Sequence, residues 1–130
     1  FANKNFSKRY IITLYLTYPE RKWKDIKKAI IFFNKNKSKS TLCKKSQKVS
    51  PYLMMYEESN HKGSQVISHN LCRRQDYRKC FEISHFISIV DREEIYSLNN
   101  NLYNKDTDFM QIDDVFDIDT PKDMESFKNE

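Results

Sequence analysis

Apolar runs along the chain predict three strands. Residues 10–16 (YIITLYL) are continuously apolar and rich in β-branched and aromatic side chains, which is typical of a strand buried on both faces. Residues 81–90 (FEISHFISIV) predict a second strand buried on both sides, with Phe81, Ile83, His85, Ile87 and Ile89 on one face and Phe86 and Val90 on the other. Residues 40–45 (STLCKK) predict a shorter strand between them. We expect these segments to form the centre of a sheet.

Helical spacing appears first after the strand at 10–16. Apolar residues recur there at helical intervals among lysines, at Trp23, Ile26, Ile30 and Phe33. This pattern predicts an amphipathic helix over residues 22–36 that packs on the sheet. With the strands on either side, the helix completes a βαβ unit with a right-handed crossover.

The last forty residues predict one more strand region and two helices. Asp91 is a suitable N-cap for a short helix through about Leu98, and residues 109–118 (FMQIDDVFDI) resemble one or two strands interrupted by acids. Thr120 at the N-cap, followed by Pro121 at the first helical position, predicts a final helix.

The middle of the chain has a different pattern. Residues 52–56 (YLMMY) and 65–69 (QVISH) are short apolar segments joined by a polar link, which predicts an antiparallel hairpin. The whole pattern therefore predicts an α/β sheet domain with an antiparallel insertion.

Composition narrows the classes of protein. A length of 130 residues favours one domain, and no run approaches the ~18–20 apolar residues of a membrane span. No signal peptide is recognisable, so we expect a cytoplasmic protein without a membrane partner. The single glycine, Gly63, excludes a Gly-rich phosphate loop within this chain. The three cysteines and three histidines have no zinc-site spacing.

Charge is distributed unevenly along the chain. Residues 1–50 carry 14 Lys or Arg and 2 acidic residues, whereas residues 91–130 carry 4 and 12. A basic half can bind nucleic acid, but many of the lysines lie where the predicted helix faces solvent. No aromatic and basic alternation accompanies them, so we expect no nucleic-acid partner.

Two carboxylates stand out as candidate metal ligands. Asp117 and Asp119 lie two residues apart at the predicted turn from a strand into the last helix. In a strand such residues point the same way, and sheet ends bind ligands in α/β proteins. Mg²⁺ prefers oxygen ligands of this kind. The alternative is that Asp119 only supports the helix N-terminus and that Asp117 is solvated.

Two further segments carry candidate binding groups. Arg73, Arg74 and Gln75 precede the strand at 81–90 and offer fixed donors for a carboxylate or phosphate. An exposed ion pair with Asp76 is the alternative. The loop after the first strand, residues 16–21, is a candidate ligand loop because it follows the carboxyl end of that strand.

Taken in order, these segments resemble the acylneuraminate cytidylyltransferase (CMP-sialic acid synthetase) family. LYLTYPER at 14–21 is similar to that family's LLQPTSPLR loop, and RRQD at 73–76 to its RRQDLP motif. FEISHFISI at 81–89 is similar to its YxxNGAIYI strand, and DIDTPKDME at 117–125 to its closing DIDTxEDL. Ser50-Pro51-Tyr52 is similar to its HSP segment.

The resemblance implies a fold, an activity and a set of site residues. The fold would be the Rossmann-like sheet of nucleotide-diphospho-sugar transferases, with residues 1–130 as the C-terminal part of one cytidylyltransferase domain and 52–80 as a dimerisation arm. The activity would be transfer of CMP from CTP to an acidic, sialic acid-like sugar with release of pyrophosphate, by a homodimer. The site residues implied are Mg²⁺ ligands at Asp117 and Asp119, and substrate contacts at Arg21, Arg73, Arg74 and Gln75.

The chain also departs from the family pattern. Tyr15 stands at the family's Gln, Ser84-His85-Phe86 stand at its Asn-Gly-Ala, and the family's N-terminal strand and nucleotide-binding loop are not in this sequence. We therefore expect little activity from this chain alone. The alternative is a degenerate, non-catalytic member that serves binding or dimerisation.

Overall fold

The computed structural model describes residues 9–129 and has a mixed α/β fold. The chain divides into two compact units, one containing residues up to Lys45 together with Ile83 onward, and the other formed by Ser46–Glu82. The first unit holds a four-stranded sheet and both α-helices. The α/β class predicted from the sequence is thus confirmed.

The sheet of the first unit is mixed. Its strands are β1 (Tyr10–Thr13), β2 (Ser40–Ser46), β5 (Phe81–Asp91) and β6 (Asp108–Gln111), in the spatial order β1-β5-β2-β6. Strand β5 is antiparallel to β1, whereas β2 and β6 are parallel. The Asp91 N–H donates to Lys39 O at 2.7 Å, and Cys43 Sγ lies 3.3 Å from Ile87 O. Between these two contacts the residue numbers rise along β2 and fall along β5, so β5 is antiparallel to β2 as well.

Helix α1 (Trp23–Lys35) packs its apolar face on this sheet. Ala29 and Phe33 are buried together with Cys43, Phe86 and Ile87. Trp23 was predicted to share this face but is 68% exposed, because it is the first helical residue and lies beyond the sheet contact. The helix predicted over 22–36 is therefore confirmed to within one residue at each end.

Strand β1 differs from its prediction in length and burial. It ends at Thr13, and residues 14–16 follow outside the strand, with Leu16 96% exposed. Among residues 9–129, β1 pairs only with β5, so it is an edge strand and not one buried on both faces. Since β5 lies between β1 and β2, the two strands of the predicted βαβ unit are not hydrogen-bonded neighbours.

The segment after β5 contains less regular structure than predicted. Asp91 is the last residue of β5, and its carboxylate pairs with Arg9 at 3.0 Å and accepts from the Glu93 N–H at 3.2 Å. The predicted short helix through about Leu98 is present only as a 3-10 turn at Ile95–Ser97. Only Asp108–Gln111 of the predicted strand region is a strand, and residues 112–119 are irregular.

Helix α2 (Pro121–Lys128) begins as the sequence predicts. Thr120 and Asp123 form a capping box, in which the Thr120 side chain accepts from the Asp123 N–H and the Asp123 carboxylate accepts from the Thr120 N–H at 2.8 Å. The Thr120 hydroxyl also donates to the Asp123 carboxylate at 2.8 Å, and this bond, with that from the Thr120 N–H, holds the pKa of Asp123 below its usual value.

The Ser46–Glu82 unit contains the predicted hairpin in a shorter form. Strands β3 (Met55–Glu57) and β4 (Gly63–Gln65) are antiparallel, with Met55 opposite Gln65. The predicted strand residues 66–69 lie outside it. Within residues 9–129, no helix has both the length and the apolar character needed to cross a membrane.

Candidate functional site

A cavity of about 310 Å³ lies in the first unit beside the acidic segment that precedes α2. Both candidate metal ligands, Asp117 and Asp119, line it. The other lining residues come from the loop after β1, from β5 and from the Asn-rich loop: Tyr15, Thr17, Tyr18, His85, Asn100 and Asn101. The structure therefore brings the two carboxylates to one opening, although their segment is an irregular chain and not the predicted strand.

Arg21 holds the loop after β1 in place. Its Nη1 donates to Phe86 O at 2.8 Å and its Nη2 donates to Tyr15 O at 2.6 Å. The guanidinium carbon also lies 5.8 Å from the centre of the Phe86 ring. Two terminal nitrogens of Arg21 are thus engaged with the main chain, so the geometry gives this residue a positioning role. The predicted contact between Arg21 and substrate remains a prediction.

The acidic segment is tied to the same loop. The Ile118 N–H donates to Thr17 O at 2.8 Å, between the two aspartates. This bond holds the backbone between Asp117 and Asp119 against the loop after β1, and both aspartates line the cavity beside it. Arg21 fixes the same loop through Tyr15 O.

Tyr18 forms the floor of this region. It is 8% exposed, and its ring meets that of Phe86 edge-on at 5.5 Å. Burial raises the pKa of the Tyr18 hydroxyl to about 12, and the hydrogen bond to Ser84 opposes this while the carboxylate of Asp117 adds to it. Tyr18 is therefore a neutral hydrogen-bonding group at physiological pH.

Asp117 carries an unsatisfied atom. Its Oδ1 is buried and has no hydrogen-bond partner among the described residues. A buried carboxylate oxygen without a donor costs about 1–3 kcal/mol or more. A cation at this oxygen would remove that cost, so the donor set fits a hard divalent ion.

The fit is limited to two carboxylates. In residues 9–129, no cluster of three or more His, Cys, Asp or Glu side chains is arranged to hold a metal ion. A site of two carboxylates would require Mg²⁺ to keep several waters and to share its remaining positions with substrate phosphates. Asp119 is exposed, and its N–H donates to the Asp123 carboxylate at 3.2 Å, which leaves its own carboxylate outside the capping box.

His85 lies on the opposite wall and was not predicted as a functional residue. Its Nε2 lies 3.0 Å from Asn101 O, and since a carbonyl only accepts, Nε2 carries the proton. The Tyr15 ring packs edge-on against the imidazole at 5.7 Å. At Tyr15 and His85 the sequence differs from the motifs of the family that it resembles. Both residues line this cavity.

The arginine motif belongs to the other unit. Arg74–Asp76 form a 3-10 turn, and Arg73 makes a two-point ion pair with Asp76, at 2.9 Å from Nε and 3.3 Å from Nη2. The exposed ion pair considered as an alternative is present for Arg73. Arg74 instead lines a separate cavity of its own unit, and Gln75 is exposed.

Neither a protein-family model nor a curated protein matches this chain. The family resemblance therefore rests on the motifs alone.

Proposed function

We propose that this chain forms part of a cytidylyltransferase that transfers CMP from CTP to an acidic sugar and releases pyrophosphate. The observation that supports the proposal most strongly is the cavity lined by Asp117 and Asp119, in which Asp117 Oδ1 is buried without a partner. The finer fold proposed with it is the Rossmann-like sheet of nucleotide-diphospho-sugar transferases.

In this proposal Asp117 and Asp119 would hold Mg²⁺, which would neutralise the CTP phosphates and template attack on the α-phosphorus. The protein residues around them have their own tasks. Tyr18 lines the same cavity as Asp117 and presents a neutral hydroxyl there. Arg21 fixes the loop that carries Tyr15 and Thr17, through the carbonyl of Tyr15.

The sugar would be recognised by the arginine motif. Arg74 would bind the sugar carboxylate through its planar guanidinium, with Arg73 and Gln75 beside it. The ion pair with Asp76 fixes the direction of the Arg73 side chain and so limits its freedom in the turn.

The proposal is tested by pyrophosphate release from CTP and an acidic sugar in the presence of Mg²⁺, using the longer protein of which the resemblance predicts this chain to be the C-terminal part. We expect Asp119→Asn to abolish turnover, because it removes one of two carboxylates. Asp106→Asn, which changes an exposed aspartate that does not line the cavity, is the matched control. Unaltered turnover by Asp119→Asn would contradict the assigned metal role.

The alternative function is a non-catalytic binding or dimerisation module. It is favoured by exposed apolar side chains on the hairpin unit, including Met54, Met55 and Tyr56. In either case residues 52–80 would be a dimerisation arm of a homodimer. Sedimentation of the chain and of Met55→Lys tests this: we expect a dimer that the lysine dissociates, and a monomeric wild type would refute the arm.

A further inference from the structure

A second cavity, of about 450 Å³, lies wholly within the Ser46–Glu82 unit. Four cationic side chains line it, namely Lys48, Arg74, Arg78 and Lys79. Polar and apolar groups complete the wall, including Ser50, Leu53 and Tyr77, and no Asp or Glu is among its lining residues. We propose that this cavity binds a small anion carrying more than one phosphate group.

Charge is the first argument. Four cations around one concavity repel one another, and they concentrate anions there by the field that they share. The two guanidiniums offer the planar, two-point donors that suit phosphate oxygens, and the two ammonium groups add point charges. Even without Lys48, three cations line the cavity, namely Arg74, Arg78 and Lys79, so an anion with more than one negative charge is a better match than a singly charged one.

Preorganisation is the second argument. Tyr77 lies in the cavity wall and stacks on Tyr52 at a centroid distance of 4.9 Å and an interplanar angle of 8°. The His69 ring packs edge-on against both tyrosines, and its Nε2 lies 2.8 Å from Tyr52 O. An aromatic cluster of Tyr52, His69 and Tyr77 therefore restricts the part of the wall that contains Arg74 and Arg78.

An ion pair and a hydrogen bond also hold the 3-10 turn that contains Arg74. The Arg73 and Asp76 ion pair closes the 3-10 turn that carries Arg74, and the Tyr77 N–H donates to Arg74 O at 3.1 Å. At the opposite wall, Ser50 accepts from the Tyr52 N–H at 3.4 Å. A cavity of this volume is in the usual range of ligand pockets.

This site does not rest on the proposed transferase reaction. Arg74 is common to both proposals, but the other three cations have no role in the transferase proposal. Binding to this unit can therefore succeed or fail whatever the first unit catalyses.

The experiment is calorimetric titration of the full chain with inorganic pyrophosphate in a buffer free of phosphate. We expect one site per chain. Arg78→Gln and Lys79→Gln each remove one charge from an exposed position and should weaken binding about tenfold or more. Lys62→Gln is the matched control, because it removes the same charge from an exposed lysine of the same unit that does not line the cavity.

Three results would overturn the proposal: no binding by the wild type, an equal loss in Lys62→Gln, or a single-stranded oligonucleotide that binds and that pyrophosphate does not displace. Asp119→Asn separates the two proposals. It should leave pyrophosphate affinity unchanged in this titration even though it abolishes turnover in the transferase assay, and a matching loss of affinity would place the anion in the first unit.

Discussion

Replacement of Arg21 by Met tests whether this residue acts through the loop after β1. The substitution removes two hydrogen bonds from a charged donor, one to the partly buried Phe86 O and one to the exposed Tyr15 O. The apolar side chain of methionine is similar in length to the aliphatic part of the arginine side chain. The carbonyl of Tyr15 in the loop and that of Phe86 in β5 then lose this donor, and the Phe86 carbonyl remains partly buried.

The magnitude follows from these two contacts. A hydrogen bond to a charged group contributes about 1.5–3 kcal/mol, and the exposed one lies at or below the lower end of that range. We expect Arg21→Met to lower the free energy of unfolding by about 2–4 kcal/mol. With a urea m-value of about 1.5–2 kcal/mol/M, the midpoint should fall by about 1–3 M.

The assay is urea unfolding followed by fluorescence of the single tryptophan. Arg21→Lys keeps the charge but not the planar fork, so it should recover less than half of the loss. Arg92→Met is the control, because Arg92 is an exposed arginine just after β5. If Arg21→Met is no less stable than Arg92→Met, the positioning role is refuted and a direct substrate contact becomes the better explanation of Arg21.

Three further outcomes are expected. Phe33→Ala should lower the free energy of unfolding by about 3–5 kcal/mol because Phe33 is buried in the core. Ile31→Ala, on the exposed face of α1, should change it by less than about 0.5 kcal/mol. Equal losses in urea unfolding would contradict the orientation of this helix. Thr120→Ala should cost about 1 kcal/mol and Thr120→Ser should restore it, as measured by amide exchange in α2; fast exchange in both would refute the side-chain cap. Burial raises the pKa of the Cys43 thiol to about 11. A thiol reagent at pH 8 should therefore modify the exposed Cys72 at once and Cys43 only on unfolding. Rapid labelling of Cys43, detected by mass spectrometry, would contradict this expectation.

The elements with strong local signals were predictable from the sequence. Helix α1 follows from its 3.6-residue apolar spacing, and α2 follows from the Thr120 and Pro121 start. Both depend on residues close together in sequence. The same holds for β5, whose ten-residue apolar run is nearly all strand.

The errors arise where position in the sheet decides. The composition of β1 is that of a buried strand, yet its partner β5 lies on one side only among the described residues, and an apolar run carries no information about this. Asp91 accepts from the Glu93 N–H as a capping residue would, but its second carboxylate oxygen binds Arg9 and the segment after it forms only a 3-10 turn. The partners of β1 and of Asp91 that are distant in sequence could not be read from the local pattern.

The candidate site was only partly visible. The spacing of Asp117 and Asp119 indicated a shared ligand, and both line one cavity, but their segment is irregular where a strand was predicted, and the Ile118 N–H ties it to Thr17 O. His85 and Asn101 come from a strand and a loop with no shared motif. Their contact depends on how β5 and the Asn-rich loop fold together.

The Ser46–Glu82 unit connects β2 and β5, which are hydrogen-bonded neighbours in the sheet. In topological terms it is an enlarged hairpin connection, and the entropy of closing a connection rises only with the logarithm of its length. Replacing residues 47–80 by a four-residue turn would change that term by about 2 kcal/mol in favour of folding. The free energy of closing this connection therefore changes only slowly with its length. The sheet could gain or lose the entire insertion during evolution without a new strand order.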